Sequence, residues 1–340
     1  MKTKHSLSRR DFLRASAAAG GALALGRHLH TGEALAPAVA PSFGKAKSVI
    51  QIWVWGGPSH IDSFDPKPNA GHDYAGPFTS TIPTKVDGLE FNPLLKQMAE
   101  NADKFSVLRG MTHGLNAHET GSYLVQTGRL PGRDVFPCVG AVTSYFKGYS
   151  AGYSSLIPPY ILLTQPQGRF SEAGFLGVKN KPFATGGDPA KTPFAVEGIV
   201  ADGISSERQK SRRELLEKLN TFSNQLKNNP EIEKAKLAKE QAYELILGDA
   251  GKVFDLEQEN EKMRERYGKN TFGQSCLCAR RLVEAGVPYV TINYRGWDDH
   301  KLIFPEYNKK LPAMEKAVMA LITDLEQRGL LESTIVWWGG

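Results

Sequence analysis

Three apolar runs in this chain each stop at a polar loop carrying histidine or aspartate, and this pattern restricts the fold more than any other feature. Val49-Ile-Gln-Ile-Trp-Val-Trp55 ends at Gly56-Gly57 and leads into His60, Asp62 and Asp65. Phe105-Ser-Val-Leu-Arg109 leads into His113 and His118, and Tyr289-Val-Thr-Ile-Asn293 into Asp298, Asp299 and His300. Short apolar runs bounded by glycine or polar loops are the signature of strands buried on both faces. In an open parallel sheet, the loops at the carboxyl ends of such strands converge on one crevice, where ligands bind.

The remaining pattern alternates in the same way. Strands are expected at 48–55, 105–109, 158–163, 287–293 and 334–338, with helices near 93–101, 118–128, 272–285 and 312–328. Strand and helix in alternation predict an α/β fold with a mostly parallel sheet flanked by helices. Residues 205–268 shift to Glu, Lys, Gln, Leu and Arg and read as a charged helical insertion with solvated faces. Gly286 is placed to cap the helix before it. Cys138, Cys276 and Cys278 are an odd set. The last two lie two residues apart on one helix and point in different directions, so buried free thiols are expected.

The first 40 residues read as an address. Ser8-Arg9-Arg10-Asp11-Phe12-Leu13 is a twin-arginine pattern, and the weakly apolar stretch from Ala15 to Gly26 is too short to span a bilayer. Export in folded form by the twin-arginine translocase follows, to the periplasm or beyond, with no membrane span in the mature form. The leader holds six Lys/Arg against Asp11 and Glu33, so +4 of the formal +6 leaves with it and +2 remains. A near-neutral mature chain of this kind carries no nucleic-acid footprint.

Chemistry is concentrated in the loops after the apolar runs. His60, Asp62, Asp65, Asp298, Asp299 and His300 supply imidazole and carboxylate, a mixture that suits zinc, manganese or iron, whereas purely oxygen cages suit calcium or magnesium. For the first loop, turn stabilisation by Ser59 and Asp62 is an equally good reading. His118 and Glu119 open a helix, where free amides favour an anion. Thr120 adds a hydroxyl in the same turn, a candidate for an activated nucleophile beside His118, with helix capping as the plainer alternative. Arg109, His113 and Arg129 are candidates for holding an anionic substrate.

Gly56-Gly-Pro-Ser-His-Ile-Asp-Ser-Phe-Asp-Pro-Lys-Pro68, Ala173-Gly-Phe-Leu-Gly177, Phe272-Gly-Gln-Ser275, Ala279-Arg-Arg-Leu-Val-Glu-Ala-Gly-Val287 and Trp297-Asp-Asp-His300 resemble the exported domain-of-unknown-function 1501 family, over nearly the whole chain. That family is grouped with the alkaline phosphatase and sulfatase superfamily. The resemblance therefore implies hydrolysis of phosphate or sulfate esters, free or on a glycan, at one or two divalent metal ions. Leu124-Val-Gln-Thr-Gly-Arg129 is similar to a sulfatase segment, but His118 stands where sulfatases carry the residue converted to formylglycine. A non-catalytic exported binding or scaffold protein that keeps the fold is the alternative. The family usually continues past the final strand with further acidic and histidine residues, so residues 41–340 are expected to be an incomplete α/β domain, a fragment of a longer protein.

Overall fold

A computed structural model describes residues 44–166, 168–192, 194, 196, 207–208, 211, 214–215 and 249–340. Its centre is a parallel sheet of β1 (Ser48–Val54), β4 (Tyr160–Leu163), β5 (Phe183–Ala184), β6 (Tyr289–Tyr294) and β7 (Thr334–Gly339), in the order β5-β4-β6-β1-β7. Two short strands, β2 (Ile82–Pro83) and β3 (Glu90–Phe91), pair antiparallel outside it. The expected α/β class with a mostly parallel sheet is the observed one.

Alternation along β1 explains how both faces are used. Ile50, Ile52 and Val54 join Ile161, Leu163, Val290 and Ile292 in the main core, beneath α6 (Thr271–Glu284) and α7 (Ile303–Gln327). The opposite face carries Tyr160 and Tyr289, packed with Cys138 and Ala141 of the segment that opens α4 (Val139–Lys147). That second face is polar in part. The Gln51 side-chain carbonyl accepts from Tyr289 Oη at 3.1 Å and Thr291 Oγ1 at 3.2 Å, while its amide donates to Gln126 of α3 (His118–Thr127) at 3.0 Å. Buried polar groups need such partners, so this network fixes α3 on the sheet.

Several boundaries differ from expectation. Phe105–Arg109 is not a strand. Phe105 stacks on Phe91 with ring centroids 6.2 Å apart, and Leu108 is exposed, so only one side of the segment is buried and β1 already has β6 and β7 as neighbours. The last long helix, expected to open at Pro312, starts at Ile303. Pro312 sits inside it without an amide to donate, and buried Tyr307 and Leu311 hold the preceding turns on the core. The helix near 93–101 shortens to α2 in chain order, Lys96–Glu100, after the single turn α1 (His72–Ala75).

The leader, and most of the charged insertion expected at 205–268, lie outside the described residues. Its final part is not a solvated face. Val253, Phe254 and Leu256 are buried, and α5 (Glu261–Tyr267) ends on Tyr267, whose hydroxyl donates to Asp324 at 2.9 Å. Arg280 is almost wholly buried between Glu259 and Asp324, at 2.7 and 2.9 Å. Breaking such a pair leaves an uncompensated buried charge, which binds this segment to α6 and α7. All three cysteines are free and buried, as expected. Among the described residues no helix is long and apolar enough to cross a membrane.

Candidate metal centre at the strand ends

The register of the sheet places the first and last candidate loops side by side. Val54 pairs with Tyr294, so β1 and β6 end at the same level. The chains stay together beyond the sheet: Trp55 N donates to Tyr294 O at 2.8 Å and Trp297 N donates to Trp55 O at 3.0 Å. Gly56 then passes so close to the second loop that a Cβ there would lie 2.3 Å from the amide nitrogen of Asp298. With φ at +109° as well, only glycine meets both demands.

Three side chains converge above this crossing. His118 Nε2 lies 3.1 Å and His300 Nε2 2.9 Å from the same Asp298 oxygen, Oδ1, and all three ligand atoms fall within 4.8 Å of one another. His118 is the first residue of α3, His300 and Asp298 belong to the loop after β6, and all three are exposed. Tetrahedral zinc, with bonds of about 2.0–2.2 Å, separates neighbouring ligand atoms by about 3.4 Å. Each imidazole lies within a few tenths of an ångström of that spacing from the carboxylate oxygen, and two imidazoles with one carboxylate are a donor set of the kind that zinc or manganese takes.

A cavity of about 150 Å³ adjoins the cluster, lined by Gly56, Gly57, Ser59 and Tyr307 together with Asp298 and His300. That volume suits a tetrahedral oxyanion and is small for a larger ligand. Burial raises the Tyr307 hydroxyl to about 12, with the charges of Asp62 and Asp299 adding to the shift against the hydrogen bond from Ser59. Tyr307 Oη accepts that bond, 2.5 Å from Ser59 N, and so pins the first loop to α7.

The other candidates are placed differently. Asp299 is held by Lys310, whose Nζ lies 2.6 and 2.8 Å from its two oxygens and 2.6 Å from Gly296 O, so it braces the loop. His60 Nδ1 lies 3.4 Å from Asp65, which also pairs with Lys67 at 2.7 Å and Arg109 at 3.2 Å. Burial acts to raise the Asp65 carboxyl, but the Lys67 hydrogen bond and the charges of Arg109, Lys67 and His60 outweigh it and hold it low. Arg109 further donates to Phe64 O and Glu90 O at 2.6 and 3.0 Å, a fastening between loops.

Asp62 is buried, and its backbone carbonyl accepts from Asn92 Nδ2 at 2.9 Å. Burial pushes its carboxyl up, against a hydrogen bond from Ser59 and the charge of His60, and Oδ1 has no partner. His113 Nδ1 accepts from Leu115 N at 3.1 Å, and its ring covers Gly121 of α3. Thr120 Oγ1 donates to Ala117 O at 3.1 Å, and no side chain caps α3. Arg129 lies past the far end of that ten-residue helix, with its guanidinium 5.8 Å from the Phe136 ring centre, about 15 Å along the axis from His118. The structure therefore joins His118 to Asp298 and His300, and puts His60, Asp65 and Arg109 in a separate ion-pair network. Sequence reasoning missed Tyr307 and Lys310. Each acts from α7 across more than ten residues, and only the earlier start of that helix would have exposed them.

These features define a class: an α/β protein with an imidazole and carboxylate cluster at the carboxyl edge of a parallel sheet. Residues 46–340 match the family described as protein of unknown function (DUF1501), and residues 6–26 match the twin-arginine translocation pathway signal sequence. The chain belongs to the DUF1501 family and is exported by the twin-arginine pathway to the periplasm or beyond. Comparison with curated proteins and with solved structures gives no match.

Proposed function

We propose that this protein is an exported, divalent-metal-dependent hydrolase of phosphate or sulfate esters, built on an alkaline phosphatase and sulfatase type of fold. The observation that carries the reading is the meeting of His118, Asp298 and His300 within 4.8 Å, beside a cavity of oxyanion size. Two imidazoles and one carboxylate leave coordination positions open, as catalytic sites do. A divalent ion held by His118, Asp298 and His300 would supply Lewis acidity toward an ester oxygen.

The chain's own residues do the remaining work. His118 and His300 would hold the ion through Nε2, and Asp298 through its carboxylate. Lys310 holds Asp299 and the Gly296 carbonyl, which keeps the loop bearing Asp298 and His300 in place. Tyr307, which lines the cavity, holds the first loop to α7 through Ser59 N. The test is metal analysis of the purified protein after exposure to zinc, manganese or calcium, with turnover of aryl phosphate and aryl sulfate. Stoichiometric ion and turnover, both lost in His300→Ala, are expected. A wild-type protein with neither overturns the reading in favour of a binding or scaffold protein that keeps the fold.

A further inference from the structure

The wall of the cavity carries a buried polar group that no other residue satisfies. Trp297 lines the cavity beside Asp298 and His300, is only 2% exposed, and its Nε1 has no hydrogen-bond partner. An indole N–H can only donate, and a buried donor left unpaired is costly, so the group calls for an acceptor. Three contacts hold the residue in place. Trp297 N donates to Trp55 O at 3.0 Å, and the rings of Tyr294 and Tyr307 meet the indole edge to face, with centroids 5.4 and 5.6 Å away. Trp53 and Trp338 also carry an unpartnered Nε1, but neither lines the cavity. Among the described residues that do line it, none is lysine or arginine. Lys310 Nζ lies 5.8 Å from the Trp297 ring centre, but it is committed to Asp299 and the Gly296 carbonyl.

We infer that the Trp297 indole N–H is the hydrogen-bond donor that holds an oxygen of the anionic ester in the cavity. This rests on the hydrolase reading above and deepens it. The cavity is of oxyanion size, its wall offers no lysine or arginine, and Trp297 Nε1 is the buried side-chain donor on that wall without a partner. A donor fixed before the ligand arrives needs no reorganisation, and its bond to a charged oxygen is stronger than one to a neutral acceptor. Because the indole is neutral, it fixes where the oxygen sits and leaves the balance of charge to the ion that His118, Asp298 and His300 would hold. Trp297 directly precedes Asp298 in the loop after β6, so the same backbone places the donor and a candidate ligand.

The experiment follows the indole N–H signals of the five tryptophans by nitrogen–proton correlation NMR on the full chain. Inorganic sulfate and inorganic phosphate are titrated in turn, into chelator-treated protein and into protein loaded with zinc. The Trp297 signal, assigned through its contacts with the Tyr294 and Tyr307 rings, is expected to move with saturation while those of Trp53 and Trp338 stay in place. Trp297→Phe keeps an aromatic ring in the packing and removes the donor. It is expected to weaken anion binding by about tenfold or more and to lower kcat/KM for aryl esters by a similar factor, with zinc content retained. A Trp297 signal unmoved by either anion in both forms of the protein overturns the inference, and ester turnover by that same protein would leave the hydrolase reading standing. Equal anion affinity in wild type and Trp297→Phe overturns it too, since any shift is then indirect. A Trp297 signal that saturates in a zinc-loaded protein without ester turnover upholds the donor and overturns the hydrolase reading instead. If Trp297→Phe fails to fold, the titration of the wild type alone decides.

Discussion

Gln51 of β1 and Gln126 of α3 meet in the buried layer on one face of the sheet, amide to carbonyl, at 3.0 Å. The bond ties the central strand to the helix that begins with His118, so the strand whose loop carries Ser59 also orients the first imidazole of the cluster. Gln51→Met and Gln126→Met are therefore expected to couple. A double-mutant cycle should give an interaction energy of about 1 kcal/mol, together with weaker metal binding in each single variant. Strict additivity in urea denaturation would remove the proposed link.

The crossing of Gly56 over Asp298 makes a sharper prediction. Gly56→Ala forces a Cβ to 2.3 Å from a backbone nitrogen at a φ of +109°, whereas Gly57→Ala meets nothing within 4 Å at a φ of +76°. The first substitution is expected to cost about 3 kcal/mol and the second about 1 kcal/mol, by chemical denaturation. Equal losses would show that the two loops part easily.

Asp65 gives a dependence on pH. Burial alone would raise its carboxyl, but the hydrogen bond from Lys67 and the charges of Arg109, Lys67 and His60 hold it below 3.8. A carboxyl lowered on folding contributes stability that is fully present above its unfolded value and is lost as pH falls through the folded one. Asp65→Asn should lower stability by about 1 kcal/mol at neutral pH, and the gap to wild type should close as pH falls from about 4 toward about 2. A gap that stays constant over that range in denaturation curves contradicts the assignment.

Lys310 supports the cluster without belonging to it. Lys310→Met leaves every ligand atom in place but frees Asp299 and the Gly296 carbonyl. It is expected to weaken metal affinity by about tenfold, as loss of outer-layer support does. Isothermal titration with zinc measures this, and Lys310→Arg should recover part of the loss. Unchanged affinity in Lys310→Met would detach this bracing from the centre.

The parts of the fold legible in the sequence are those set by local pattern. β1, β6 and β7 are short apolar runs, and α3 and α6 end where glycine allows, with Gly128 at a φ of +68° closing α3. Phe105–Arg109 has the same apolar character yet pairs with nothing, because one buried side does not specify a place in a sheet. Pro312 signals a helix start by local rules, and tertiary contacts of Tyr307 and Leu311 carry the helix nine residues further back. At the site, the loop bearing Asp298 and His300 follows a strand as expected, whereas His118 arrives from the start of α3 and not from a strand end. Which residues meet depends on register: the pairing of Val54 with Tyr294 puts Asp298 within reach, and the turn at Ser59 to Asp65 sends His60 toward Asp65 instead.

Cys138, Cys276 and Cys278 lie sealed in the two cores on either side of the sheet, with relative exposures of 0–1%. Burial raises each of these thiols, which suppresses the reactive thiolate. A chain that folds before it is exported forms this seal in a reducing compartment and carries it intact into an oxidising one. The sheet that aligns the strand ends thus also lets an odd number of cysteines cross that boundary without mispairing, and the route of export is matched to the interior as well as to the leader.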